Sequence, residues 1–269
     1  METTQPPVET PEQPAFDFEA VFQVDDYMYF YSDMLTPEGA EKQVSFLVQE
    51  LELNTPMKIL DLACGFGRHA NRLAALGHRV TGIDLTEGFL ELARQDAAVR
   101  GAAVDYRQGD MRQLDDVEAF DRVLLIFTAF GYFDDEQNLL VLKNIAHALK
   151  PGGLLIIDTQ NRDTYLKGYM PDRVTEKEGN LMIDRHTFDS LTGRLYNRRI
   201  VIRNGVRRDK PFSVRLYNPC EMRDLLHLAG LEIWKSFGGW DGQPISTESR
   251  RMIIIARKPA TSDIAPKGA

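Results

Sequence analysis

The chain has 269 residues, 43% of them hydrophobic and 27% charged, enough for one large globular domain or one domain carrying an insertion. Its net charge of −8 argues against a surface built throughout for nucleic acid, though a local basic patch is compatible with it. Two distant cysteines, Cys64 and Cys220, make neither a disulfide framework nor a zinc site, so no metal is expected.

No apolar run approaches the roughly 18 residues of a membrane span, and the N-terminus lacks a basic region followed by an apolar stretch. No membrane association is expected, and a reducing, cytoplasmic compartment is. Residues 1–15 hold four prolines among Thr, Glu and Gln and are predicted to be a disordered tail; 259–269 are read the same way. An aromatic segment follows, with Tyr27, Tyr29, Phe30 and Tyr31. Thr36 and Pro37 read as N-cap and first helical position, ahead of a helix with Val44, Leu47 and Leu51 on one face.

The chain then alternates. Strands are predicted at 58–62, 79–83, 104–107, 122–127 and 154–158. Helices are predicted at 68–75, at 86–100 with Gly101 just past its end, and at 134–149 ahead of Pro151-Gly152-Gly153. This is the rhythm of parallel βαβ units, which predicts an α/β doubly wound sheet with right-handed crossovers. After Asn161 the rhythm breaks: 181–188, 194–203 and 211–217 read as strands with no helix between them, and Asn204-Gly205 reads as a two-residue hairpin turn. A helix from Asn218-Pro219 to Gly230 and strands at 231–236 and 252–256 complete the pattern. The expected organisation is a core over 16–162, an antiparallel β insertion of about three strands over 163–217, and the end of the core over 218–258.

In open α/β sheets, ligands bind beyond the carboxyl ends of the strands, where strand order reverses. The first strand runs into Asp61-Leu62-Ala63-Cys64-Gly65-Phe66-Gly67, whose glycines let backbone approach a ligand, and the helix start at Arg68 offers free N–H groups. Asp84 ends the second strand, placed to accept from two ribose hydroxyls. Asp110, after the third, is placed to accept from an exocyclic adenine amine. Gly65-x-Gly67-x-x-Ala70, with Asp84 19 residues after Gly65, also satisfies the NAD pattern. Asp61 before the glycines, Asp110 after strand three and the Pro-Gly-Gly turn weigh against that reading.

The series Asp61-Leu-Ala-Cys-Gly-Phe-Gly67, Gly82-Ile-Asp84, Gly109-Asp110-Met111 and Leu149-Lys-Pro-Gly-Gly153 resembles the class I S-adenosylmethionine (SAM)-dependent methyltransferases, over residues 40–160 and the last three elements. The resemblance implies a seven-stranded, mostly parallel Rossmann-like sheet that binds SAM and releases S-adenosylhomocysteine. It implies that Ala63, Gly65, Gly67 and Arg68 lie along the methionine part of SAM, and that Asp61 orients its amino group. Asp84 would take the ribose, Leu85 and Met111 would lie by the adenine, Asp110 would take its amine, and Phe127 would flank the sulfonium. Many relatives carry a third glycine where this chain has His69.

Methyl transfer from a sulfonium is an in-line displacement in which the protein supplies placement and electrostatics. The 127–133 loop lacks the Asn/Asp-Pro-Pro-aromatic series of exocyclic base methylases. Pro219-Cys220 lies too far downstream to serve as the pair of the cytosine C5 methylases, and is read as a partly buried helix start. The insertion resembles the β lid of small-molecule N-methyltransferases. It implies a small-molecule acceptor methylated at nitrogen or oxygen, and leaves a homodimer open. Phe212, Val214 and Leu216 share one face, Ser213, Arg215 and Tyr217 the other. Arg215 and Tyr217 are assigned to the acceptor, Tyr132 to its orientation, and Tyr31 to closing over SAM, with Tyr132 and Tyr31 the catalytic candidates. The basic hairpin 198–210 is read as solvated, and His186 as a surface strand residue. An RNA or protein substrate, and a cofactor-binding module without transfer activity, are the alternatives.

Overall fold

Lys58–Leu62 (β1) carries residues with buried side chains on both faces, and the alternation sorts them into two cores. Leu60 and Leu62 join Val123, Leu125, Leu155 and Ile157 on one side of the sheet. Ile59 joins Leu124, Ile156, Ile253 and Ile255 on the other. Burial on both faces is what a parallel sheet between helical layers requires. The computed structural model describes residues 17–260, so both expected tails lie wholly or almost wholly outside the described residues.

Two short helices, α1 (Phe18–Val21) and α2 (Val24–Tyr31), precede α3 (Pro37–Glu50), which begins where Thr36 accepts a hydrogen bond from the Gly39 amide at 3.1 Å. After β1 the chain runs α4 (Ala70–Ala75), β2 (Arg79–Asp84), α5 (Glu87–Arg100), β3 (Val104–Gln108), β4 (Phe120–Leu125), α6 (Asp135–Ala148) and β5 (Leu149–Gln160). Then come α7 (Arg162–Lys167), β6 (Asp172–Lys177), β7 (Asn180–Asp189), β8 (Arg194–Arg203), β9 (Val206–Arg215), α8 (Pro219–Leu228), β10 (Glu232–Phe237) and β11 (Arg251–Arg257). The main sheet is seven-stranded, in the order β10-β11-β5-β4-β1-β2-β3, with only β11 running antiparallel to the rest. Strand order reverses between β1 and β4, so the crevice opens above Asp61 and Leu125.

The insertion differs from its sequence reading. It is a separate sheet of four strands, β6-β7-β8-β9, preceded by a helix that was not expected. β6 is polar and escaped the apolar pattern, but Glu178 and Gly179 (φ 51° and 77°) form a tight turn that folds it onto β7. β9 starts at Val206 rather than 211, because Asn204 and Gly205 (φ 53° and 75°) close the hairpin at once. Pro211 is tolerated inside β9 because that strand is an edge. β5 is also longer than expected. The Gly152 amide and Gly153 carbonyl both bond to Lys258, each at 2.9 Å, drawing the Pro-Gly-Gly turn into the sheet.

Candidate active site

A cavity of about 440 Å³ lies over the carboxyl ends of β1, β2 and β4, roofed by the inner face of the small sheet and by α2. Its floor brings together most of the residues assigned to the cofactor from the sequence. Asp61, Ala63, Gly65, Arg68, Asp84, Leu85, Asp110, Met111 and Phe127 all border it.

The loop after β1 is set by backbone geometry. Ala63, Gly65 and Gly67 have φ of 57°, 53° and 76°. A Cβ on Gly65 would meet nothing within 4 Å, so this backbone faces open space. Gly67 is different and corrects its assignment: it does not border the cavity, and a Cβ there would lie 2.2 Å from the Tyr106 hydroxyl. Its lack of a side chain serves packing against β3.

Asp84 ties this loop to β2. Its Oδ2 accepts the Gly65 amide at 2.7 Å and its Oδ1 the Thr86 amide at 2.9 Å. Burial still pushes its pKa above the usual carboxylate range. Asp61 is 1% exposed, and burial, opposed by its bond to the Ala70 amide, pushes its carboxyl up to about 7. Its Oδ2 has no hydrogen-bond partner among the described residues. Arg68 is 8% exposed, with its guanidinium 5.2 Å from the Phe127 ring centroid, and forms no ion pair among the described residues. His69 borders the cavity too, bonded through Nε2 to Gln43 Oε1 at 2.8 Å; burial holds its pKa well below the usual value, so it is neutral. Asp110 differs from expectation in one respect: both of its carboxylate oxygens already accept from Arg112, at 2.6–3.1 Å.

The loop after β4 holds Phe127 and Thr128 at φ 60° each, a conformation that needs external support for residues with side chains. Asp158 on β5 supplies it: Oδ2 accepts the Phe127 amide at 3.0 Å, and its carbonyl the Thr128 amide at 2.9 Å. Arg251 on β11 anchors Asp158 through Nε at 2.7 Å and donates to Thr128 Oγ1 at 3.0 Å. Farther along, Gly131 bonds through its carbonyl to the Arg215 amide at 2.7 Å, joining this loop to β9.

The roof carries the remaining expected site residues. Tyr31 and Tyr132 border the cavity as expected. Burial pushes the Tyr132 phenol up to about 12, so near neutrality it is a proton-bearing group rather than a base. Arg215 and Tyr217 do not border the cavity, which corrects their assignment to the acceptor. The face pairing along β9 holds, but Phe212 and Val214 turn inward. Arg215 instead pairs with Glu221 at 3.1 Å and bonds to the Leu216 carbonyl, because Glu221 is held beside it by the capping box of α8. Tyr217 stacks on Phe130 with centroids 5.6 Å apart.

Sequence reasoning missed the groups that do face the cavity from the roof. Asp184 accepts from Arg199 Nε at 2.6 Å and from Asn197 Nδ2 at 2.7 Å, and all three border the cavity. Asn197 is 2% exposed and its Oδ1 has no partner among the described residues. The signal lay in the period-two series Leu195, Asn197, Arg199, Val201, where two polar residues share a buried face. The hairpin is accordingly not simply solvated: the Arg199 side chain is 12% exposed and Lys210 3%. His186, read as a surface residue, borders the cavity, and Cys220 is exposed rather than partly buried. No cluster poised to hold a metal ion, and no helix long and apolar enough to cross a membrane, occurs among the described residues.

Comparison with known proteins agrees with this geometry. Residues 59–153 match the methyltransferase domain family. The chain is 26% identical over 221 residues to YqeM of Bacillus subtilis (strain 168), provisionally described as a methyltransferase, covering 78% of this chain and 89% of that one. It is 37% identical over 108 residues to the ubiquinone biosynthesis O-methyltransferase of Maricaulis maris (strain MCS10), covering only 39% of this chain and 41% of that one. The sugar N-methyltransferase KedS8 from Streptoalloteichus sp. ATCC 53650 shares the fold, with a TM-score of 0.65 at 22% identity over 88% of this chain and 93% of that one. Fold, motif series and family match together define a SAM-dependent methyltransferase. The fold is the one shared with KedS8, with a four-stranded sheet inserted between β5 and α8.

Proposed function

We propose that this enzyme methylates nitrogen or oxygen of a small polar molecule bound between the glycine loop and the small sheet. The observation that carries the reading is the cavity itself: one continuous space with two chemically distinct halves. The floor suits SAM. Arg68, a buried cation with no ion pair among the described residues, shares it with the Oδ2 of Asp61, which has no hydrogen-bond partner among them, matching the carboxylate and ammonium of an α-amino acid. Asp84, braced by two backbone amides, faces the same space and suits a ribose diol. Tyr27, Tyr31 and Phe127 supply aromatic walls. When bound there, SAM supplies an electrophilic methyl group on a sulfonium.

The chain's own residues then orient and desolvate. Tyr27 packs at 4.7 Å from Tyr31 and 5.1 Å from Phe89, placing three rings side by side along the wall. Asp184, Arg199 and Asn197 present hydrogen-bonding groups to the acceptor, with Asn197 Oδ1 calling for a donor, such as a hydroxyl or amine. The buried charges in the roof are mutually paired, so a neutral acceptor, or an amine reacting in its neutral form, suits the pocket. Tyr132 keeps its proton and orients rather than deprotonates.

A polymer substrate is less well served. Five of the six basic residues of the hairpin, all but Arg198, are drawn into ion pairs: Arg199 with Asp184, Arg203, Arg208 and Lys210 with Asp26, and Arg207 with Asp209. The test uses SAM with a labelled methyl group and a cell extract split by size, alongside Asp84→Ala. Label in the small-molecule fraction, lost in the variant, is the expected result. Label confined to macromolecules would replace this reading with an RNA or protein substrate, and no label with S-adenosylhomocysteine binding intact would favour a binding module.

A further inference from the structure

Asp26 lies on α2, one residue before Tyr27, yet serves no part of the cavity floor. It is 4% exposed and meets three cations: Lys210 Nζ at 2.7 Å, Arg203 Nη1 at 3.3 Å and Arg208 Nη1 at 3.8 Å. Lys210 is itself 3% exposed and also bonds to Gln23 Oε1 at 3.1 Å. A carboxylate and an ammonium are taken out of water only where their partners are close and complete, so this cluster is a committed junction rather than a surface contact.

The junction has a direction. Beside it, Phe30 packs on Met182 and Val201 of the small sheet, and Tyr29 Oη donates to the Lys177 carbonyl at 2.8 Å. Lys177 Nζ reaches Asp33 at 2.9 Å, and Asn180 Nδ2 donates to Tyr29 Oη at 2.8 Å. Among the described residues, every hydrogen-bonded or ionic side-chain tie between residues 24–33 and another element goes to the small sheet or its turns. Toward the main sheet the helix offers aromatic contact, with Tyr27 against Phe89. Tyr27 and Tyr31 thus wall the cavity from a helix whose polar anchors are all in the roof. Across β8 and β9, Lys210 sits directly opposite Arg199, the residue that presents Asp184 to the acceptor half.

We infer that Asp26 is a positioning residue for cofactor binding: by holding Lys210, Arg203 and Arg208 together it clamps α2 to the β8–β9 hairpin. Tyr27 and Tyr31 are thereby set against the cofactor half of the cavity. α2 and the small sheet move as one body, and the wall of the cofactor half is mechanically joined to the acceptor half through the Lys210–Arg199 pair of positions. Removing the carboxylate leaves three cations facing one another, which pushes α2 away from the hairpin and loosens both tyrosines.

This inference rests on the reading that SAM binds in this cavity, and S-adenosylhomocysteine, which needs no acceptor, is the probe. Its dissociation constant is measured by calorimetry for the wild type, Asp26→Asn, Arg203→Gln, Arg207→Ala and Asp84→Ala, with amide exchange followed over α2 and α6. We expect roughly tenfold weaker binding for Asp26→Asn and about threefold for Arg203→Gln. Arg207→Ala, which breaks an exposed pair on the same hairpin, should bind like the wild type. In Asp26→Asn, exchange should quicken over 24–31 and stay unchanged over 135–148. Unchanged binding by Asp26→Asn, equal weakening by Arg207→Ala, or faster exchange over both helices would overturn the inference. Wild-type binding by Asp84→Ala would instead sink the placement of the cofactor, whatever Asp26→Asn does.

Discussion

Asp84 Oδ2 accepts the Gly65 amide at 2.7 Å, so the carboxylate that ends β2 also shapes the glycine loop that follows β1. One side chain thus serves two purposes: it fixes the loop and presents its remaining lone pairs to the cavity. Asp84→Ala should lose both. A hydrogen bond to a charged group contributes about 1.5–3 kcal/mol, so the dissociation constant for S-adenosylhomocysteine should rise about 100-fold. Titration calorimetry reads this directly; a change below about threefold would remove Asp84 from the cofactor site.

Asp61 gives a pH dependence with opposite signs for stability and binding. Burial raises its folded pKa to about 7, above the ordinary carboxylate value of 3.8. Between those values the folded state holds more protons than the unfolded state, so this group's contribution to stability is full at low pH and is lost as pH rises through 7. Binding an ammonium group asks for the ionised form, so affinity for S-adenosylhomocysteine should rise from pH 6 to pH 8. Asp61→Asn should flatten both profiles, be more stable than the wild type at pH 8 and bind more weakly there. Thermal melts and calorimetry at three pH values check it; a variant whose profiles match the wild type would contradict it.

Arg251 is the sole ion-pair partner of Asp158 among the described residues, and Asp158 is 1% exposed. Arg251→Met would strand that carboxylate and release Thr128. Breaking a buried pair in this way costs about 3 kcal/mol, which for a chain of this size lowers the melting temperature by roughly 6–12 °C. Melts of the single variant and of Asp158→Asn with Arg251→Met separate charge burial from packing: the double variant should recover part of the loss.

Asn197→Leu addresses the acceptor half alone. It removes the orphaned Oδ1 and one partner of Asp184 without touching the floor. S-adenosylhomocysteine affinity should stay within about twofold, while label transferred to the small-molecule fraction falls at least tenfold, the scale of one lost hydrogen bond of about 1.4 kcal/mol. Equal loss of both would place Asn197 in the fold rather than in acceptor recognition.

The floor of the site was legible in the sequence because each group there sits at the end of a short apolar strand with a glycine or acid in register. Asp61, Gly65 and Asp84 follow from chain order alone. Gly67 did not, since nothing local says that its missing side chain makes room for Tyr106, 39 positions on; Gly67→Ala should cost about 1–3 kcal/mol in stability. The roof was harder. Arg215 and Arg199 look alike in sequence, and which of them turns inward depends on Glu221 capturing the first and Asp184 the second. β6 was invisible because its residues are mostly polar, and the clue was confined to the Glu178-Gly179 turn.

The most direct test is a crystal structure of the S-adenosylhomocysteine complex. The account predicts density in the cavity, with the carboxylate beside Arg68, the ribose on Asp84 and the sulfur facing the roof that carries Asn197 and Arg199. A ligand bound outside this cavity, or one whose sulfur turns away from that roof, would contradict it.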